Sequence, residues 1–168
     1  MKRKSFSMIE LVFVIVILGV LAAVAVPKFV ASRSDAKVAA LRSDISTALK
    51  TIPSRIFAEN IDITATNAPD GTTWPEWMID TAGLDKNMWG PSVTQNGITP
   101  RTSSRIPIPC SSNGILSIDK TKQTLMFDPE QLKANNASSS DAVCVQLKNS
   151  YPSGSARAIP LGSNGLIF

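Results

Sequence analysis

The sequence contains no histidine. That absence removes imidazole metal ligands, the commonest general base and every Ser-His-Asp arrangement. There is no Gly-x-Ser-x-Gly stretch to form a nucleophile elbow either. Net charge is also scarce outside one short segment. The formal balance is +4, but Lys2, Arg3 and Lys4 open the chain, and beyond Ser5 only 14 basic residues face 13 acidic ones. From Ser54 onward 9 basic residues face 10 acidic ones. The basic isoelectric point therefore reports a charged leader rather than a phosphate-binding face, and no nucleic-acid partner is expected. Cysteines number two, Cys110 and Cys144. In an oxidising compartment they read as one disulfide, in the cytosol as two buried thiols. Which applies depends on where the N-terminus sends the chain. At 168 residues there is room for one modest core and an anchoring segment.

What is present at the N-terminus is an apolar run. From Phe6 to Val26 there are 21 residues with a single charge, Glu10. At ~1.5 Å per residue a helix of that length spans about the ~30 Å hydrocarbon core of a bilayer. Basic residues before it and a polar remainder after it place the N-terminus in the cytoplasm and the body across the membrane. A secretory signal peptide shares the basic start, the apolar centre and small residues at Ala23-Val24-Ala25. Against it, the run exceeds the usual ~7–15 apolar residues, and Pro27 follows the supposed cut closely. A carboxylate at the front of the run is also unexplained, since a charge at mid-membrane costs of order 2.5–3.5 kcal/mol, less near the interface. A plain anchor helix would let Glu10 reach the headgroups without giving it a task.

The stretch Ser5-Phe6-Ser7-Met8-Ile9-Glu10-Leu11-Val12 resembles the prepilin motif of type IV pilins and of the pseudopilins of type II secretion. The resemblance covers Lys2 to about Phe29, including Gly19, Ala22, Ala23, Ala25 and Pro27. It implies cleavage between Ser5 and Phe6 by a prepilin peptidase, and N-methylation of the new amine of Phe6. Ser5 stands where the family usually has glycine; a small side chain still fits a pocket that excludes larger ones. Glu10 falls at the fifth position of the mature chain, where the family keeps a glutamate that pairs with the terminal amine of a neighbouring subunit. The resemblance thus makes Glu10 an assembly register rather than a catalytic acid. It implies as partners other copies of the chain, other pilins or pseudopilins, the peptidase, an inner-membrane assembly platform and membrane lipid. The implied location is the bacterial inner membrane, single-pass with a periplasmic body, and then a periplasmic or surface filament.

The organisation that follows is a leader over 1–5, a transmembrane and assembly half-helix over 6–27, an amphipathic half-helix over 28–53 and a globular body over 54–168. Pro27 is expected to kink or loosen the helix near Ala23–Pro27. Beyond it Val38, Leu41, Ile45, Leu49, Ile52 and Ile56 recur at spacings of three and four. Pro53 is expected to limit the helix near Thr51–Ile52. Residues 56–109 read as loop-rich, with Pro69, Pro75, Pro91 and Pro100 and turns at Asp70-Gly71 and Asn96-Gly97. Trp74, Trp77 and Trp89 fall here and read as pins holding loops onto the helix stripe.

Ile115, Leu116 and Ile118, then Asp119-Lys120-Thr121-Lys122, then Thr124 to Phe127 form a strand–turn–strand pattern. Ala142 to Leu147 reads as a third strand, Asn135–Asp141 as a polar loop, and Leu166-Ile167-Phe168 as a closing strand or packed tail. The expected fold is α+β: a long N-terminal helix packed on a small antiparallel sheet, pilin-like. With the body outside the cytoplasm, Cys110 and Cys144 are expected to bond, joining the segment before the first strand to the third strand.

No cofactor is expected. Some pseudopilins bind calcium in a C-terminal loop, and Asp128, Glu130 and Asp141 carry suitable oxygens, but their spacing matches no ligand loop. Two other function classes compete with a structural filament subunit. A DNA-binding minor pilin of an uptake apparatus would need a basic, aromatic-lined surface, which the near-neutral body does not suggest. A membrane-tethered periplasmic enzyme would need a nucleophile or general base, which the composition withholds.

Overall fold

A long helix opens the chain in the computed structural model, which describes residues 7–94, 97–101, 110–111, 113–132 and 142–162, without the side chains of 24–32 and 142. The chain divides into two compact units, Met1–Ala36 and Lys37–Phe168. Helix α1 (Met8–Glu59) contributes to both. It is followed by α2 (Trp74–Thr81), β1 (Trp89–Pro91), β2 (Gly97–Pro100), β3 (Leu116–Asp119), β4 (Thr124–Phe127), a 3-10 turn at Pro129–Gln131, α3 (Ala142–Asn149) and β5 (Arg157–Pro160). The five strands form one antiparallel sheet in the order β1-β2-β3-β4-β5. The architecture is α+β and fits a pilin-like fold.

Within the second unit, α1 buries one stripe: Val38, Leu41, Ile45, Ala48, Ile52 and Ile56. The spacing follows the helical period, so each side chain lands on the same face one turn on. Ala48 takes the position between Ile45 and Ile52, while Leu49 is only partly buried. Contrary to the sequence expectation, Pro53 does not end the helix, which runs on to Glu59. A mid-helix proline costs ~3 kcal/mol. Burial of Ile56 recovers about 1.5–3 kcal/mol of that, and Pro53 is itself buried. A cap then stops the helix. Asn60 adopts φ 49°, the Ile61 amide donates to the Ile56 carbonyl at 3.0 Å, and the Asn60 amide donates to that of Phe57 at 3.4 Å. These are the two bonds of a Schellman motif, with asparagine in the left-handed position.

Helix α2 lies where the sequence reads as loop. Thr73 caps it, its hydroxyl accepting from the Glu76 amide while the Glu76 carboxylate accepts from the Thr73 amide, and Pro75 sits in the first turn. The Thr-x-x-Glu signature with proline just inside was the available signal. Trp74, Trp77, Met78 and Ile79 point inward, and α2 lies against β1 and β2.

The β3–β4 hairpin matches the sequence expectation. Leu116 pairs with Phe127 and Ile118 with Leu125, and the Asp119 carboxylate accepts the amides of Thr121 and Lys122 to tighten the turn. Strand β2 approaches β3 so closely that a Cβ on Gly97 would sit 2.2 Å from the Leu116 carbonyl oxygen. Strand β5 completes the sheet as an edge. The Leu161 amide donates to the Gln123 carbonyl at 2.7 Å, so by alternation Ala158 and Pro160 face away from β4. Pro160 has no N–H to offer there, which blunts the edge against further pairing.

The segment Ala142–Leu147, expected as a strand, is the body of helix α3. Alternating Val143-Cys144-Val145 suits a strand, but the buried positions are Cys144 and Leu147, three apart, while Val145 is exposed. Six residues are too few to separate the two periods. The closing strand or packed tail expected at Leu166–Phe168 and the loop expected at Asn135–Asp141 lie outside the described residues.

The tryptophans fasten this unit together. Trp89 is fully buried, and its indole N–H donates to the Asp44 carboxylate at 2.8 Å. That bond ties the first strand to α1. Arg55 of α1 stacks over Trp77 at 5.3 Å, whereas Trp74 donates to the Ala65 carbonyl at 3.0 Å and so holds a loop instead of the helix. A hydrogen bond to a charged acceptor contributes about 1.5–3 kcal/mol. Trp89→Phe is therefore expected to lower stability by about that amount. Asp44→Asn, which keeps an acceptor oxygen, should cost less than Asp44→Ala. Denaturant midpoints of the detergent-solubilised chain would check both orders, and equal losses for the two Asp44 variants would remove the bond from the account.

Candidate functional site: the N-terminal helix

The first turn of α1 is built from the motif residues. The Ser7 carbonyl accepts the amides of Glu10 at 3.0 Å and Leu11 at 3.2 Å, which makes Ser7 the boundary residue of the helix. Glu10 then occupies the third helical position, where a carboxylate interacts favourably with the positive end of the helix dipole. Its side chain is exposed. Ser5 and Phe6, the expected cleavage and methylation residues, lie outside the described residues.

Behind Glu10 the helix has no polar face. Met8, Ile9, Leu11, Val12, Phe13, Val14, Ile15, Val16, Ile17, Leu18, Val20 and Leu21 are all exposed, from 42% for Ile17 to 82% for Met8. Gly19 has nothing within 4 Å of the place its Cβ would occupy. A helix that is apolar all round belongs in lipid or in the core of a larger assembly. Twelve large side chains at about 1.5–3 kcal/mol each far outweigh a carboxylate costing of order 2.5–3.5 kcal/mol at mid-membrane. Burial of this segment is thus favourable even with Glu10 in it. Among the described residues, no helix is long and apolar enough to cross a membrane. The span expected from sequence, Phe6–Val26, extends beyond the described side chains at both ends. The helix is unbroken past Pro27, and the loosening expected at Ala23–Pro27 falls mostly on side chains that are not described.

The remaining candidate residues lie in the second unit. Cys110 and Cys144 form a disulfide with Cα atoms 5.7 Å apart. The bridge joins the segment before β3 to α3, not to a strand, and both cysteines are buried. The carboxylates considered for calcium have other duties. Asp128 accepts the Glu130 amide at 2.9 Å and the Gln131 side-chain amide at 3.0 Å. Glu130 accepts the Gly154 amide at 3.0 Å, and Asp141 lies outside the described residues. Among the described residues, no three His, Cys, Asp or Glu side chains are grouped to hold a metal. Sequence reasoning missed the Asp44–Trp89 bond because 45 positions separate the partners, and Asp44 reads there as an ordinary surface charge.

No curated protein and no solved structure matches the chain. Its first residues do match a known family. Residues 1–26 fit the prokaryotic N-terminal methylation motif, so the chain carries at its N-terminus the signature found in type IV pilins and pseudopilins.

Proposed function

We propose that this chain is a structural subunit of a type IV filament, either a type II secretion pseudopilus or a type IV pilus. The observation that carries the reading is the methylation motif over 1–26 followed by a helix exposing apolar side chains on every face. In this reading the chain waits in the inner membrane with its N-terminus cytoplasmic and its body periplasmic. The prepilin peptidase removes residues 1–5 and methylates Phe6. The helix is then extracted and packed among the helices of neighbouring subunits. Glu10 pairs with the amine of Phe6 on a subunit already in place, which sets the register. The disulfide supports an oxidising location for the body.

The processing step has a direct test. Ser5→Gly should leave cleavage intact or faster, since both residues are small, whereas Ser5→Leu should block it. The readout is a gel shift of the chain coexpressed with its cognate peptidase. Unprocessed wild-type precursor in that coexpression, or normal cleavage of Ser5→Leu, would count against this reading.

A further inference from the structure

The near-neutral body hides a strong internal separation of charge. Between Ile56 and Pro100 there are six carboxylates and a single basic residue, Lys86. Between Arg101 and Phe168 there are seven basic residues and four acidic ones. The sheet order sets part of this separation in space. Helix α2, against β1 and β2, carries exposed Glu76 and Asp80 one turn apart, and exposed Asp85 follows in the next turn. Lys86 bonds Asp80 at 2.7 Å, Arg55 stacks over Trp77 and Lys120 over Trp74, so part of that charge is offset.

At the other end of the sheet, Tyr151 packs edge-on against Phe127 of β4, with ring centres 5.2 Å apart. Arg42 stacks over the same ring at 5.5 Å. Burial raises the Tyr151 hydroxyl above its ordinary pKa, and the nearby Arg42 and Arg157 pull it back down. Lys148 and Tyr151 line an open cleft of about 530 Å³ with Pro129, Glu130 and Pro152. Arg42, Lys148 and Arg157 are exposed, and among the described residues none of them forms an ion pair with a carboxylate. The carboxylate beside the cleft, Glu130, accepts the Gly154 amide. Arg42, Lys148 and Arg157 thus lie about one tyrosine at one end of the sheet, while exposed Glu76, Asp80 and Asp85 lie at the other, with Arg55, Lys86 and Lys120 close to them.

We propose that the body of one copy docks through Arg42, Lys148 and Arg157 onto Glu76, Asp80 and Asp85 of the next copy. This deepens the filament reading and rests on it. Two different patches meet in such a contact, so it is head-to-tail and can repeat without closing, as a filament requires. Complementary charges at a rim mainly fix register and exclude wrong partners, which would add a second determinant beside Glu10. An extended nucleic acid is the less favoured partner, because the basic end is local and the acidic end of the same body would repel a polyanion.

The test is a charge swap in the full chain, expressed with its assembly machinery. Lys148→Glu with Arg157→Glu should reduce the yield of sheared filaments by roughly tenfold or more, because like charges would then face each other across the contact. Asp80→Lys with Asp85→Lys should reduce it similarly, and the four changes together should restore it. Precursor level, cleavage and a non-reducing gel for the Cys110–Cys144 bond confirm that each variant is folded. Normal yield from either double variant, or failure of the combined chain to recover while each variant folds, overturns the contact and leaves the filament reading standing. Selective loss of DNA retention by Lys148→Glu with Arg157→Glu, at normal filament yield, would also overturn it, in favour of the nucleic acid. Absence of filaments from every chain, wild type included, overturns the filament reading and this contact with it.

Discussion

Glu10→Ala is expected to yield a chain that is inserted and cleaved normally but is almost absent from filaments. Insertion should improve slightly, because the substitution removes a carboxylate from an otherwise uncharged run. Cleavage should be unaffected, since the proposed cut lies between Ser5 and Phe6, away from Glu10. Assembly should fail because the amine of Phe6 on the neighbouring subunit would enter an apolar bundle with no opposite charge. Removing one member of a buried pair costs about 3–5 kcal/mol, which corresponds to roughly 10²–10⁴-fold in an assembly equilibrium at 1.36 kcal/mol per decade. Glu10→Gln keeps the shape and loses the charge, so it should fall close to Glu10→Ala. Quantitative immunoblots of membrane and sheared fractions would read the ratio directly. Wild-type filament yield from Glu10→Gln would show that shape alone sets the register.

The second large effect is expected from the disulfide. The Cys110–Cys144 bridge closes a loop with 33 residues between the cysteines. By the chain-entropy argument, closure of a loop of that size is worth about 3–4 kcal/mol, a substantial part of the ~5–15 kcal/mol that holds an ordinary domain together. The cysteines are 3% and 5% exposed, so replacement by serine would add the cost of a buried hydroxyl. Alanine at both positions isolates the bridge more cleanly. The double alanine variant, or the reduced wild-type chain, should unfold at clearly lower denaturant. Coincident midpoints for oxidised and reduced chains would show that the bridge contributes nothing to the stability of this body.

Much of this architecture is legible in the amino-acid order, and the failures have definite causes. The stripe from Val38 to Ile56 is readable because a helix repeats its signal over five turns. The β3–β4 hairpin is readable because apolar residues flank a compact polar turn. Ala142–Leu147 reads as a strand in sequence but forms a helix, because alternation and helical spacing coincide over so short a run. Strands β1, β2 and β5 each contain a proline and only three or four residues, so their strand character comes from sheet pairing and not from local preference. Pro53 does not stop the helix because the burial of Ile52 and Ile56 offsets its local backbone cost. The motif around Glu10 is readable from sequence because it is contiguous. The Asp44–Trp89 bond is not, because only folding brings its partners together.

In the proposed function, residues 5–10 form a processing and assembly signal, not the front of an ordinary export peptide. The most direct measurement is the intact mass and N-terminal sequence of the chain recovered from sheared filaments and from the membrane. A filament subunit should be recovered from both fractions as a chain beginning at N-methylated Phe6 with its disulfide intact. A chain beginning at Val26, after the Ala23-Val24-Ala25 site, and found only as a soluble monomer would contradict it.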